Sequence, residues 1–388
     1  MKKMYSTLCT LLLSAVGLLS QPALAFDHDW GNHVYVMSNG SGPNSVVVLE
    51  RTRGGQLEKR QEVSTGGLGT GAGTASVHDP LGSQGALLRS EDGHWLYASN
   101  AGSNQISVLR IREDGLLSLS QVIASGGTYP VSLAQRGELL YALNTGGSSA
   151  GVATFRIGPF GHLESLPGLT RSLNLTVPYD GAQPNEFFAP SQLGFSPDGH
   201  WLAISIKNRS GLGSIELFAV DELGRLAQHP VTTTSDNPLP FGFAFDRHGH
   251  MLVSEAHGGA VSSYAINSDG TMRTISASVA NNQPGNCWVE ITRNFAYTTN
   301  TDSNTLSAYV IGPDGSLKLL NGSDAVVTVP GDIPLDFKIS SDGRFLYSNN
   351  PGSGSVTSFR IERDGSLTLL DRLTLFAPLS GQAGMAVD

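Results

Sequence analysis

The chain has 388 residues, with 33 acidic against 24 basic side chains and a formal net charge of −9. No basic block is long enough to suggest nucleic acid as a partner, and beyond the first 25 residues no apolar run is long enough to span a membrane. Forty-seven glycines and a charged fraction of only 15% argue against long helices and for many short strands joined by turns.

Residues 1–25 read as a cleavable export signal. Lys2 and Lys3 form a basic head, an apolar run follows from Leu8 to Leu19, and Ala23-Leu24-Ala25 is a small-x-small cleavage site. The run is too short for an anchor and has no basic stop beyond it. Export to the periplasm is expected, with a mature chain starting near Phe26. That chain keeps one cysteine, Cys287, so it has no internal disulfide.

From there the chain repeats one phrase. Residues 90–119 read "SEDGHWLYASNAGSNQISVLRIREDGLLSL", and residues 341–370 read "SDGRFLYSNNPGSGSVTSFRIERDGSLTLL". A glycine just before the last strand of the unit recurs at Gly55, Gly115, Gly161, Gly224, Gly270, Gly315 and Gly365. Seven units at this spacing match the period of propeller blades. Each unit has an apolar run ("SQLGFSPDG", "LDFKISSDG"), an aromatic-rich strand, then two more alternating strands. Four short strands joined by tight turns make one antiparallel blade. A single blade cannot bury both faces, so neighbours stack and the ring closes.

The ends suggest how it closes. The first unit opens with "HVYVMSN", a second strand without a first. The C-terminal "GQAGMAVD" is a first strand without a second. The fold class is therefore all-β: a seven-bladed β-propeller with four antiparallel strands per blade, closed by the C-terminal strand joining the first blade. It forms one domain over residues 26–388.

Strand order fixes which loops share a face. The loops entering the first strand carry Gln84, Ser132, Gln192, Asp336 and Gln382. They meet the corners after the second strand, which carry Asn100, Asn144, Asn208, Glu255, Asn300 and Asn349. Two entering loops, 64–84 and 170–192, are long enough to overhang this working face. His94, His200, His248 and His250 fall on the opposite, turn face.

The unit "SxDGxxLYxxN…GSxSVxxFRIxxDGSLxLL", with "PSQLGFSPDG" and "FGFAFD" between, resembles the lactonase family of seven-bladed propellers. That family includes 6-phosphogluconolactonases and relatives of the carboxymuconate lactonizing cyclases. The resemblance covers essentially the whole mature chain. It implies hydrolysis of a sugar 1,5-lactone to its aldonic acid, with no cofactor and no required metal, and a small-molecule sugar lactone as the partner. It carries over no catalytic residue by name. Two other functions stay open: a lactonizing cyclase for a muconate-type diacid, and a propeller that only binds a ligand or a protein.

Opening a lactone needs a base to draw a proton from water, donors for the oxyanion and an acid for the leaving alkoxide. Glu255 and His257 ("VSEAHGG") replace the asparagine of other units; two apart in an extended strand, they face the same way. His78, beside Asp79, and Glu186 come from the two long loops. These four are the catalytic candidates. Lys207 and Arg209 ("SIKNRS") are the only basic residues in these corners and suit an anionic product or a carboxylate. Gln84, Gln192, Asp336 and Gln382 ring the channel, and Asn100, Asn144, Asn300 and Asn349 complete the substrate-binding set. The plainer role for the ring is to close hydrogen bonds across the mouth. No His, Cys or acid cluster has metal-ligand spacing. The oligomeric state, monomer or dimer, is not legible.

Overall fold

The computed structural model describes residues 32–71, 79–146, 150–173, 175, 188–208, 210–320, 326–327 and 331–388. The export signal at residues 1–25 lies outside them, as do His78, Glu186 and Arg209. The described residues form seven antiparallel sheets built on four strands each; six run in sequence order from the axis outward, and in the first blade the C-terminal strand stands innermost. The third and sixth sheets carry one extra short strand each.

The second blade shows the pattern. Its strands are Leu87–Arg89, Trp95–Asn100, Gln105–Ile111 and Leu117–Ala124. The two middle strands are almost wholly buried because neighbouring blades cover both faces, whereas the outer strand is exposed or half-buried at every residue but its first. The tight turn before the outer strand needs a left-handed residue, and the repeated glycine supplies it, at φ +73° in Gly115 and +87° in Gly365.

That glycine also joins blades. Tyr35, Tyr97, Tyr141, Tyr297 and Tyr347 occupy one position of the second strand in five blades, opposite the innermost strand. The Tyr35 hydroxyl donates to Gly115 O of the next blade at 3.1 Å, and Tyr297 donates to Gly365 O at 2.8 Å. Tyr141 does the same to Gly224 O at 2.5 Å. The two most conspicuous words of the repeat, the tyrosine and the Asp-Gly turn, are thus the two halves of one inter-blade contact.

The ring closes as the sequence implies. Strand Met385–Val387 is the innermost strand of the first blade and pairs with His33–Met37 in the register Val34–Val387, Tyr35–Ala386, Val36–Met385. Met385 is buried with Val34, Val36, Val47, Phe345 and Tyr347, between the first and seventh blades. Boundaries at both long loops differ from the sequence reading: the innermost strand of the fourth blade is Pro190–Phe195, so Gln192 lies in that strand and not in the loop before it. The fourth strand of the first blade runs Leu57–Leu68, so the other long loop starts at Gly69 rather than Ser64.

Candidate active site

One loop ties the centre of the ring together. Asp79 starts it, accepting from the backbone N–H of Leu81 and of Ser83, both at 3.0 Å. Lys207 Nζ donates to Gly82 O at 2.5 Å while lying 4.8 Å above the Phe241 ring. Ser83 then donates to Val131 O at 2.8 Å, and Gln84 N donates to Ser191 O at 3.0 Å. The Gln84 side chain crosses to the sixth blade, donating to Val289 O at 2.9 Å and accepting from Val289 N at 3.2 Å. Gly242 makes room for it; a Cβ there would come within 2.3 Å of Gln84 Oε1. A loop of the second blade so reaches the third, fourth and sixth. Gln84→Ala would leave the buried N–H and C=O of Val289 unpaired, at about 1–3 kcal/mol each. A fall in melting temperature of several degrees is expected; an unchanged melt would show that the tie is dispensable.

Charge gathers around this tie. Glu290 and Lys338 form an ion pair between the innermost strands of the sixth and seventh blades. They hold equivalent places, opposite Tyr297 and Tyr347. The other five blades put Leu88, Ala134, Gly194, Ala244 and Ala386 there. Gln84 Nε2 lies 3.3 Å from Glu290 Oε1. Two residues before Lys338, Asp336 accepts from Gly384 N at 2.6 Å through one oxygen, and its other oxygen has no partner among the described residues. Burial pushes the Asp336 carboxyl up to about 7, against the pull of Lys338 and with added push from Asp79 and Glu290. Burial likewise raises Asp79 to about 6, opposed by Lys207 and by the backbone donors of its turn. Both carboxyls are displaced toward neutrality, Asp336 the further of the two, which suits a base and an acid.

The family model for Lactonase, 7-bladed beta-propeller matches residues 23–166 and 271–378. The chain belongs to this family. Solved structures share the fold. A candidate 6-phosphogluconolactonase from Bacteroides uniformis aligns with a TM-score of 0.71 at 16% identity, over 92% of this chain and 100% of that one. The periplasmic gluconolactonase PpgL of Pseudomonas aeruginosa aligns at 0.69 and 17% identity, over 92% and 98%. A hypothetical selenium-binding protein from Sulfolobus tokodaii aligns at 0.63 and 11%, over 92% and 93%. None of the curated proteins matches the sequence.

Within this lactonase-family ring the residues singled out from sequence separate into two groups. Gln84, Lys207, Asp336, Asn349 and Gln382 belong to the central cluster. Gln382 donates to Asn349 and to Ser355 O, the latter at 3.2 Å, and Asn349 N donates to Asp336 O at 2.8 Å. The other group is held inside or between blades. Asn100 accepts from Asn44 at 3.0 Å and Thr65 at 2.7 Å of the first blade, and donates to Ser107 of its own. Asn144 is bound to Ser125 of the second blade, and Asn300 to Asn281 of the fifth. In the seventh blade Asn350, not Asn349, takes this corner position, bonding Ser355 and Thr357. Gln192 grips both backbone groups of Phe243 in the fifth blade. Glu255 is buried in its own blade, accepting from Ser262 and Ser278 at 2.7 Å each, and burial raises its pKa. His257 is exposed on the turn that follows. No hydrogen bond links the two.

Glu290 and Lys338 escape a motif search. Their signal is positional: two charged residues of opposite sign where every other blade has an apolar residue or glycine. Among the described residues no group of three or more His, Cys, Asp and Glu side chains is placed to hold a metal ion.

Proposed function

We propose that this lactonase-family propeller hydrolyses glucono-1,5-lactone to gluconate in the periplasm, at the charged cluster on its axis. The observation that carries the reading is the pair Asp79 and Asp336. Both are buried, both are displaced toward neutrality, and each feels a lysine. Asp79 takes a proton from water as its oxygen bonds to the lactone carbonyl carbon. Lys207 supplies positive charge to the developing oxyanion. The bond from that carbon to the ring oxygen then breaks, and Asp336 in its protonated form delivers the proton to the departing alkoxide. A cyclic ester of this kind also opens unaided in water, so positioning supplies much of what is needed.

The periplasmic part rests on residues 1–25 as an export signal and on the likeness to a periplasmic gluconolactonase. Export favours the free sugar lactone, because phosphorylated sugars belong mostly to the cytoplasm. The test is the purified mature protein with glucono-1,5-lactone at mildly acidic pH, where background opening is slow, with and without chelator. Acceleration over buffer that chelator leaves unchanged is expected. No acceleration would overturn the reaction; loss with chelator would overturn only its metal independence.

A further inference from the structure

The two lysines of the cluster are already engaged by protein. Lys207 is buried under Phe241 with Gly82 O on its ammonium. Lys338 is partly exposed and paired with Glu290, whose side chain is likewise partly exposed. Burial works against the Lys338 charge, yet Glu290 more than restores it. Glu290 is in turn held by the Gln84 amide. Its place is otherwise apolar or glycine around the ring: Leu88, Ala134, Gly194, Ala244 and Ala386. The innermost strands therefore present one neutralised pair at this level, where a lone lysine would be an anion site.

We infer that Glu290 sets the substrate class: by occupying Lys338 it makes the site selective for uncharged sugar lactones and rejects phosphorylated ones. The inference rests on the lactonase reading above, and it names the residue that decides between the two chemistries such a ring meets. A phosphate entering the channel meets the Glu290 carboxylate and finds no free ammonium to pair with. Glu290→Gln keeps the volume and the contact to Gln84 but leaves Lys338 with only Asp336 beside it.

The test compares wild type, Glu290→Gln and the double variant Glu290→Gln/Lys338→Met. Inorganic phosphate is the first probe, titrated by thermal shift against chloride at matched ionic strength. Glu290→Gln is expected to bind phosphate at least tenfold more tightly than wild type, and the double variant to lose that gain. Should Glu290→Gln not fold, Glu290→Ala takes its place. No gain in phosphate binding overturns the inference whatever the activity. The second probe is the ratio of kcat/KM for 6-phosphoglucono-1,5-lactone to that for glucono-1,5-lactone. It is expected to rise at least tenfold in Glu290→Gln; hydrolysis with an unchanged ratio overturns the selectivity while leaving the reaction in place. Absence of any hydrolysis defeats the functional reading, and the phosphate titration then decides the role of Glu290 by itself.

Discussion

Deleting residues 381–388 is expected to give unfolded or insoluble protein. The segment supplies the innermost strand of the first blade, with Gly384 O accepting from Met37 N at 3.0 Å and Asp388 N donating to His33 O at 3.1 Å. Gly384 N reaches Asp336, and Gln382 reaches Asn349. The Asp388 carboxylate takes His33 Nδ1 at 2.8 Å and lies 3.3 Å from Arg89 Nε. Each hydrogen bond nets about 1 kcal/mol, and burying Met385 adds about 1.5–3 kcal/mol. Removal also strips the His33–Met37 strand of its inner partner and leaves buried backbone groups unpaired. The total rivals the 5–15 kcal/mol that holds a typical domain together. Soluble yield and a circular dichroism melt report the outcome. A truncated protein with an unchanged melting temperature would show that the ring is held elsewhere.

Asp79→Asn and Asp336→Asn are expected to lower kcat for the lactone by about 10²–10⁴-fold, the usual worth of a positioned base or acid. Asp336→Asn carries a second signature. The folded carboxyl sits near 7, while an unfolded aspartate sits near 3.9. Between those values the folded state holds a proton that the unfolded state has lost. The stability linked to that proton is present at low pH and is lost as pH rises toward and through 7. Asparagine removes this dependence. The variant should therefore melt above wild type at pH 8, and the difference should narrow toward pH 4. The shift corresponds to a few kcal/mol at most, about 1.4 per pKa unit. A variant that melts lower than wild type at every pH would place Asp336 among purely structural acids. Glu255→Gln offers the contrast, because that carboxyl answers two serines of its own blade.

The architecture was legible because it is written seven times. A glycine before each outer strand and a tyrosine or equivalent in each second strand give the count, the strand order and the closing partner without any long-range information. The site was legible only in part, for a physical reason. Asn100, Asn144 and Asn300 look like site residues, since they sit on the working face at matching corners. Their amides are spent on the neighbouring blade, and matching corners are what repeated packing requires. Chemistry lies instead where the repeat is broken. Glu290 and Lys338 come from consecutive units, but nothing in either unit says that the innermost strands bring them into contact. Asp79 stands in the sequence only as a neighbour of His78, while its burial and its nearness to Lys207 depend on a loop laid across the ring. Glu255 and His257 break the repeat too, but there the chain turns one inward and the other out to solvent.

The strand that closes the ring has a consequence for how the protein comes into being. His33 and Asp388 are 355 positions apart, so the first blade to emerge from a ribosome or a translocation pore is the last to be finished. Until residues 385–387 arrive, its His33–Met37 strand has an unpaired edge, the kind of surface that recruits other chains. Contacts of such separation also form slowly, because the loop must close before they return any free energy. Late closure therefore leaves that edge open until the last residues of the chain are made.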